Sequence, residues 1–500
     1  MKRKLMLIGA ALAFSAGAAL AQDKTDVTIV LNEEVDLMEP CMATRSNIGR
    51  VVLQNINETL TELDVRGDKG LMPRLAESWE QLDGGVWRFH LRKGAKFSDG
   101  SDFDSADVEH TLKRTFSEKI VCESARYFAG MNLTYKVVDA NTIDISSDPA
   151  QPILPLLLTL IPIVPSDTPE EFIRNPVGTG PYALTEWNVG ENIVLTRRDD
   201  YWGEKPAVTK ANYVVRGDAA VRAAMVAAGE ADIAPTIADI DATNPETDFA
   251  YPNSETLYLR LDHSKPPLDD IRVRKALNMA IDKQAFIGTL LPAGTVEAVA
   301  MVPPTTLGWN GDIKPIPFDL EGAKKLLAEA RADGVDVDQK IELVGRLNNY
   351  PNSTEVMEAL QSMLADAGLN VDLKIYEVAE FEKLYSKPFP EDRAPQLVAA
   401  MHDNSRGDPV FSMYYKYHTE GTQSGISNPK VDEAIAAATA ASGKEREKLW
   451  SDLFAYLYED QVNDVMLFHM VGIARVATRL NWRPTIATNS SLQLSEIGFN

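Results

Sequence analysis

Two polar loops carry the residues best suited to gripping a small molecule. Gly345-Arg346-Leu347-Asn348-Asn349-Tyr350 follows the β-prone run Ile341–Val344, and Met401-His402-Asp403-Asn404-Ser405-Arg406-Gly407-Asp408-Pro409 closes a second such run at 396–401. Polar groups at strand ends can converge on a ligand without being buried in a core. Arg346 presents a planar fork of N–H donors that matches a carboxylate or phosphate with two hydrogen bonds, although an ordinary surface arginine would look the same. Asn348 and Asn404 add amides, and Asp403 with Arg406 brings both signs of charge into one loop. Asp408, ahead of Pro409, reads as a turn residue. Tyr414, Tyr415 and Tyr417 follow; aromatic faces suit peptide side chains or sugars, while core packing is their commoner fate.

Other chemistries are poorly served. The six histidines (His90, His110, His263, His402, His418 and His469) never pair at metal-ligand spacing, so no metal or other cofactor is expected. Neither a Gly-x-Ser-x-Gly elbow nor a His-Glu-x-x-His helix occurs, which leaves catalysis to a hydrolase of scattered Ser, His and Asp as a rival class. A chaperone-like protein binding unfolded segments is a second rival. Asn175-Pro176-Val177-Gly178-Thr179-Gly180-Pro181-Tyr182 has two glycines but not the Gly-Lys-Ser/Thr of a phosphate loop. A formal net charge of −23 argues against nucleic acid. Cys41 and Cys122 allow one disulfide in an exported protein and show no activating partner for a thiol nucleophile.

The elements that must position these loops alternate in type. Strands are expected at 27–31, 257–261, 341–345, 371–376, 396–401 and 465–470, and helices at 48–60, 271–282, about 318–332, 354–367, 429–442 and 446–458. That βαβ rhythm marks a sheet covered by helices. The start Met1-Lys2-Arg3-Lys4, the apolar run to Leu20 and Ala19-Leu20-Ala21 make a signal peptide cleaved after Ala21. Its loss removes three positive charges and leaves about −26. Ile153 to Val164, broken by Pro155 and Pro162, reads as a buried element and not a membrane span. At 500 residues the chain needs two or three domains.

The stretch from Leu75 to Phe116 narrows the choice. Trp79 and Leu82 precede the turn Asp83-Gly84-Gly85, and Val86 to Leu91 is a strand with Trp87, Phe89 and Leu91 on one face. Ser98-Asp99-Gly100 turns again before a helix that Ser105 can cap, with Val108, Leu112 and Phe116 as its buried stripe. The string Leu75-Ala76-Glu77-Ser78-Trp79, the hairpin, Leu91-Arg92-Lys93-Gly94, Phe97 and Asp99-Gly100 closely resembles the signature of solute-binding proteins of the peptide/nickel/opine class of ABC importers. Val177 to Tyr182, Asp200 to Gly203, Ala228 to Ile233 and Arg272 to Leu277 extend the resemblance in order.

That resemblance implies an α/β, two-lobed periplasmic-binding-protein fold of type II, in the large class with an extra N-terminal subdomain and the ligand cleft between lobes. The expected plan is 1–21 signal peptide, 22–260 lobe I with a subdomain at about 66–175, 261–468 lobe II, and 469–500 returning to lobe I. It implies a soluble periplasmic monomer that captures a short peptide by lobe closure, without altering it, and delivers it to a membrane permease and its ATPase. An opine, an oligosaccharide or another small polar conjugate is the alternative ligand, with nickel through an organic chelator demoted. In dipeptide-binding relatives an arginine near Arg346 holds the ligand carboxylate, and an aspartate corresponding to Asp403 holds its ammonium if two residues are inserted before Asp408-Pro409. Arg406 within that loop could neutralise Asp403 or prefer an anion. Leu37-Met38-Glu39-Pro40-Cys41 departs from the family's leucine-aspartate-proline-histidine at the entrance to the cleft.

Overall fold

The computed structural model describes residues 25–35, 37–42, 51–64, 70–488 and 491–500. The expected signal peptide and Ile48 therefore lie outside the described residues.

One mixed sheet runs through the molecule. In order across it lie Val371–Tyr376, Ile341–Arg346, Gln396–Asp403, Asp248–Leu261, Val465–Val476, Ile233–Ala234, Asp26–Leu31, Lys210–Val215, Asn192–Arg197 and Tyr182–Asn188, with Val296–Glu297 added beside Val465–Val476. The two longest, Asp248–Leu261 and Val465–Val476, are antiparallel neighbours at its centre. Their ladder runs from Asp248↔Arg475 to Pro252↔Val471, lapses over 253–255, and resumes at Thr256↔His469. That lapse separates two halves of the sheet, each with its own core, and these are the two lobes. Val27, Ile29, Leu31, Tyr182 and Tyr213 centre the first core. In the second lobe Leu257, Leu277, Leu343 and Leu360 form a core on one face of the sheet, while Tyr258, Val398, Trp450 and Phe454 form another on the opposite face. Helices on both faces of a sheet give the α/β architecture.

The smaller sheet, Ala76–Gln81, Trp87–Leu91, Thr142–Asp148 and Asn132–Asp139 in spatial order, is antiparallel throughout. Gly84 and Gly85 turn its hairpin at φ 74° and 77°, a region closed to most side chains. Its core of Phe89, Leu91, Val108, Leu112 and Ile143 also takes in Val410 and Phe411, which arrive from the second lobe. Two details of the helix here differ from expectation. Asp104 is the N-cap, sharing a capping box with Asp107, and Ser105 Oγ donates instead to Asp139 O. Phe116 is the C-cap and stays 36 % exposed, so the buried stripe ends at Leu112.

Glu39 explains the unusual Leu37 to Cys41 stretch. Its carboxylate is fully buried and accepts from Arg114 Nη1 and Nη2 at 2.8 and 3.0 Å and from the N–H groups of Cys41 and Ile173. Arg114 also donates from Nε to Pro169 O and from Nη2 to Glu171 O. Such additional hydrogen bonds are what offset the cost of taking both charges out of water. Cys41 and Cys122 are joined as a disulfide, which ties the turn Pro40–Met42 to the turn Glu123–Phe128.

The Val177 to Tyr182 motif has a steric reason. A Cβ on Gly178 would sit 2.1 Å from Ile56 O, and one on Gly180 2.6 Å from it. Gly180 N and Tyr182 N donate to Ile56 O and Asn55 O. The helix expected to reach Leu60 stops at Leu53, because the chain turns there to accept these bonds.

Candidate functional site

Between the lobes lies a cleft of about 1160 Å³, beyond the usual 300–1,000 Å³ of small-molecule pockets. The first lobe contributes the end of Asp26–Leu31 with Glu33 and Glu34, the disulfide-held turn with Glu123, Arg126 and Tyr127, and Asp239. Asn253 and Glu255 line it from the lapse in the central ladder, beside Met470 and Val471. The second lobe closes it with the loop 346–352, the helix Val378–Tyr385, the end of Gln396–Asp403, and the helix Val410–Tyr417.

Arg346 ends its strand inside this cleft. Nη2 donates to both oxygens of Glu33, at 2.6 and 2.7 Å, so the arginine spans the two lobes. Nε of the same guanidinium is buried without a partner. Asn348, at φ 54°, lines the cleft beside it, held in a conformation that asparagine tolerates better than most residues.

Asp403 is the last residue of Gln396–Asp403, opposite Glu255, and both line the cleft. Its carboxylate accepts from Ser254 Oγ at 2.6 Å, Ser405 N at 2.8 Å and Ser405 Oγ at 3.0 Å. Arg406 reaches across to the first lobe, donating to Thr159 Oγ1 at 3.1 Å, with Phe411 beneath its guanidinium. The expectation for Asn404 is corrected: it is 8 % exposed and faces away from the cleft lining. Its Nδ2 lies within reach of Ser254 O, Met301 O and His402 O, which makes it the brace of the loop. Asp408 does more than turn the chain, because it pairs with buried Arg446 and accepts from Val410 N.

Of the three tyrosines, Tyr415 lines the cleft, Tyr417 packs into the second-lobe core, and Tyr414 stacks on His418. Tyr415 Oη meets His402 Nδ1 at 3.1 Å, and Tyr127 of the first lobe contacts the Tyr415 ring edge-on. Burial, reinforced by the charge of Lys416, pushes the His402 imidazolium well below its ordinary range, so the ring is neutral.

Sequence reading missed Glu33, Glu255, Lys416 and Tyr385, all of which line the cleft. Glu33 had a signal, since it directly follows the first strand. Lys416 had only its place among tyrosines, which reads equally well as a snorkelling surface lysine. Among the described residues no cluster of His, Cys, Asp and Glu could hold a metal ion, and no helix is long and apolar enough to cross a membrane.

Comparisons with known proteins agree with this architecture. Residues 70–424 match the family described as bacterial extracellular solute-binding proteins, family 5 Middle. The dipeptide-binding protein of Escherichia coli K12 is 31 % identical over 377 residues, 69 % of this chain and 69 % of that protein. Among solved structures, the periplasmic binding protein DppA of Helicobacter pylori in complex with the peptide STSA superposes with a TM-score of 0.84, at 21 % identity, over 95 % of this chain and 98 % of the other. AgaA from A. tumefaciens R10 with agropinic acid gives 0.82, at 22 % identity, over 95 % and 99 %. A sheet divided into two lobes by one lapse in its central ladder, a polar cleft at that lapse, and a family match over most of the length lead to one conclusion: the chain belongs to the bacterial extracellular solute-binding proteins of family 5, the solute-capturing components of ABC importers.

Proposed function

We propose that the protein captures a short peptide in the periplasm by closing its lobes around it, and hands it unchanged to the permease and ATPase of an importer, acting as a monomer. The observation that carries this reading is the size and polarity of the cleft: about 1160 Å³, with carboxylates and cations from both lobes facing one space. A peptide is a zwitterion with polar main chain between its charged ends, and such a wall offers partners to each part. Arg346 takes the ligand carboxylate from the cleft wall while Glu33 holds Nη2. Asp403 takes the ammonium, with Glu255 opposite it adding negative potential, and Arg406 and Asn348 supply further polar contacts. Closure is then a shift from separated to joined lobes that the ligand drives by touching both.

The test is equilibrium binding of an equimolar tripeptide pool, read by native mass spectrometry. Wild type should retain peptides, and Asp403→Ala and Arg346→Ala should each retain them at least tenfold less, with melting temperatures close to wild type. Retention of no peptide, with a non-peptide molecule released on denaturation, would end the peptide reading.

A further inference from the structure

Lys416, on the helix Val410–Tyr417, is a buried cation with a neutral shell. It is 5 % exposed, and Nζ donates to Tyr258 Oη at 3.1 Å, Gln423 Oε1 at 2.9 Å and Tyr385 Oη. The rings of Tyr385, Tyr415 and Tyr258 surround it at 4.9, 5.1 and 5.4 Å. Among the described residues no carboxylate lies within ion-pair distance of it. Arg260, 2 % exposed, adds a second cation whose hydrogen bonds go to the carbonyls of Tyr385 and Leu384. Buried charges are ordinarily paired, whereas the hydrogen bonds of these two cations go only to neutral groups and Arg260 Nε is buried without a partner. Next to them, across Tyr415, His402 Nε2 is buried without a partner. If Tyr415 donates to Nδ1, the neutral ring carries its proton on Nε2, a donor awaiting an acceptor. Lys416, Tyr385, Gln423, Tyr415 and His402 all line the interlobe cleft.

We propose that this part of the cleft is an anion subsite, in which a second, side-chain carboxylate of the captured peptide settles against Lys416 and supplies the negative charge its tyrosine cage lacks. The subsite rests on the peptide reading and is separate from Arg346, which ends the strand Ile341–Arg346 and already engages Glu33. Several groups bear on the ammonium. Glu382 from the helix Val378–Tyr385 and Asp464 favour it at longer range, whereas burial and Arg260 oppose it and hold its pKa down at about 7. The neutral tyrosines and the depressed His402 leave the empty site poised to release a proton. An entering carboxylate keeps that proton in place.

The experiment compares wild type with Lys416→Met, which keeps the stem and removes the charge. Three probes separate the sources of the carboxylate: a tripeptide pool with free C-termini, the same pool amidated, and an amidated pool carrying one glutamate per peptide. Wild type should bind the glutamate-bearing amidated pool at least tenfold better than the plain amidated one, with proton uptake at pH 7.5 seen as buffer-dependent binding heat, whereas the preference for free over amidated C-termini belongs to Arg346 and is the same in both proteins. Lys416→Met should lose the glutamate preference and the proton uptake, keep its affinity for the plain amidated pool, and melt no lower than wild type at pH 6. Equal glutamate preference in both proteins, or a lower melting temperature in the variant with unchanged selectivity, would overturn the subsite and leave Lys416 a structural residue. Failure of wild type to bind any pool would overturn the peptide reading and the subsite with it.

Discussion

The ion pair between Glu33 and Arg346 should set a measurable part of the preference for joined over separated lobes. One nitrogen reaches both carboxylate oxygens, at 2.6 and 2.7 Å, and the two side chains keep 20 % and 23 % of their exposure. Unit charges about 4 Å apart attract by roughly 4 kcal/mol at an effective dielectric of 20 and by about 1 kcal/mol in bulk water. Partial exposure puts this pair between those limits, and holding two long side chains in one geometry takes back a share. We therefore expect a coupling of about 1–2 kcal/mol, a factor of roughly 5 to 30 in the ratio of closed to open ligand-free protein. Paired spin labels at the exposed positions Val189 and Lys325, one in each lobe, report that ratio as a distance distribution. Glu33→Gln and Arg346→Gln should each shift it toward longer distances, and the double variant should shift it little further. Raising the salt to about 1 M should reproduce part of the shift in wild type and none in the variants. A double-mutant coupling below about 0.3 kcal/mol, or an unchanged distribution for Glu33→Gln, would refute the reasoning.

Three further outcomes follow from buried groups. Glu39→Gln strips the charge opposing fully buried Arg114 and should cost about 3–5 kcal/mol in urea unfolding; a loss under about 1 kcal/mol would mean that water reaches the pair. Reducing Cys41–Cys122, which spans 81 residues, frees a long loop in the unfolded chain and should cost about 4 kcal/mol, read as a dithiothreitol-dependent shift in the unfolding midpoint. His263 and His469 are held down at about 4, chiefly by burial, so the unfolded chain binds protons between about 4 and the ordinary value of 6.5 while the folded one does not. Their contribution is present above 6.5 and lost as pH falls toward 4, on the order of 3 kcal/mol each. His469→Gln should flatten the wild-type slope of stability over that window, and an unaltered slope would show that His469 titrates normally.

What the sequence carries by itself depends on the range of the interaction concerned. Local signals were legible, because caps and periodicity act within a few residues. Asp319 caps Leu320–Ala332, Asn428 caps Pro429–Ala440, and Val371–Tyr376 has the expected bounds. Gly84 and Gly85 take the positive φ their turn requires. The string from Leu75 to Gly100 sufficed for the family. Of the proposed site residues, Arg346, Asn348, Asp403 and Arg406 line the cleft. Their loops follow strands, and strand ends are where a sheet opens to a ligand.

Tertiary structure decided what depends on residues far apart in the chain. Asp248–Leu261 begins well before Leu257, through Pro252 and polar residues that look unlike a strand, because Val465–Val476 supplies a partner more than 200 positions away. Asn404 and Asp403 are adjacent and equally polar, yet one is spent bracing Ser254, Met301 and His402 while the other stays on the cleft wall. The side-chain alternation of an extended chain separates them, and only a folded sheet says which side is the cleft. Glu39 and Arg114, Glu33 and Arg346, and Lys416 with its tyrosines are meetings of distant segments. A charge's meaning depends on burial and on what faces it, and both quantities come into being when the lobes assemble.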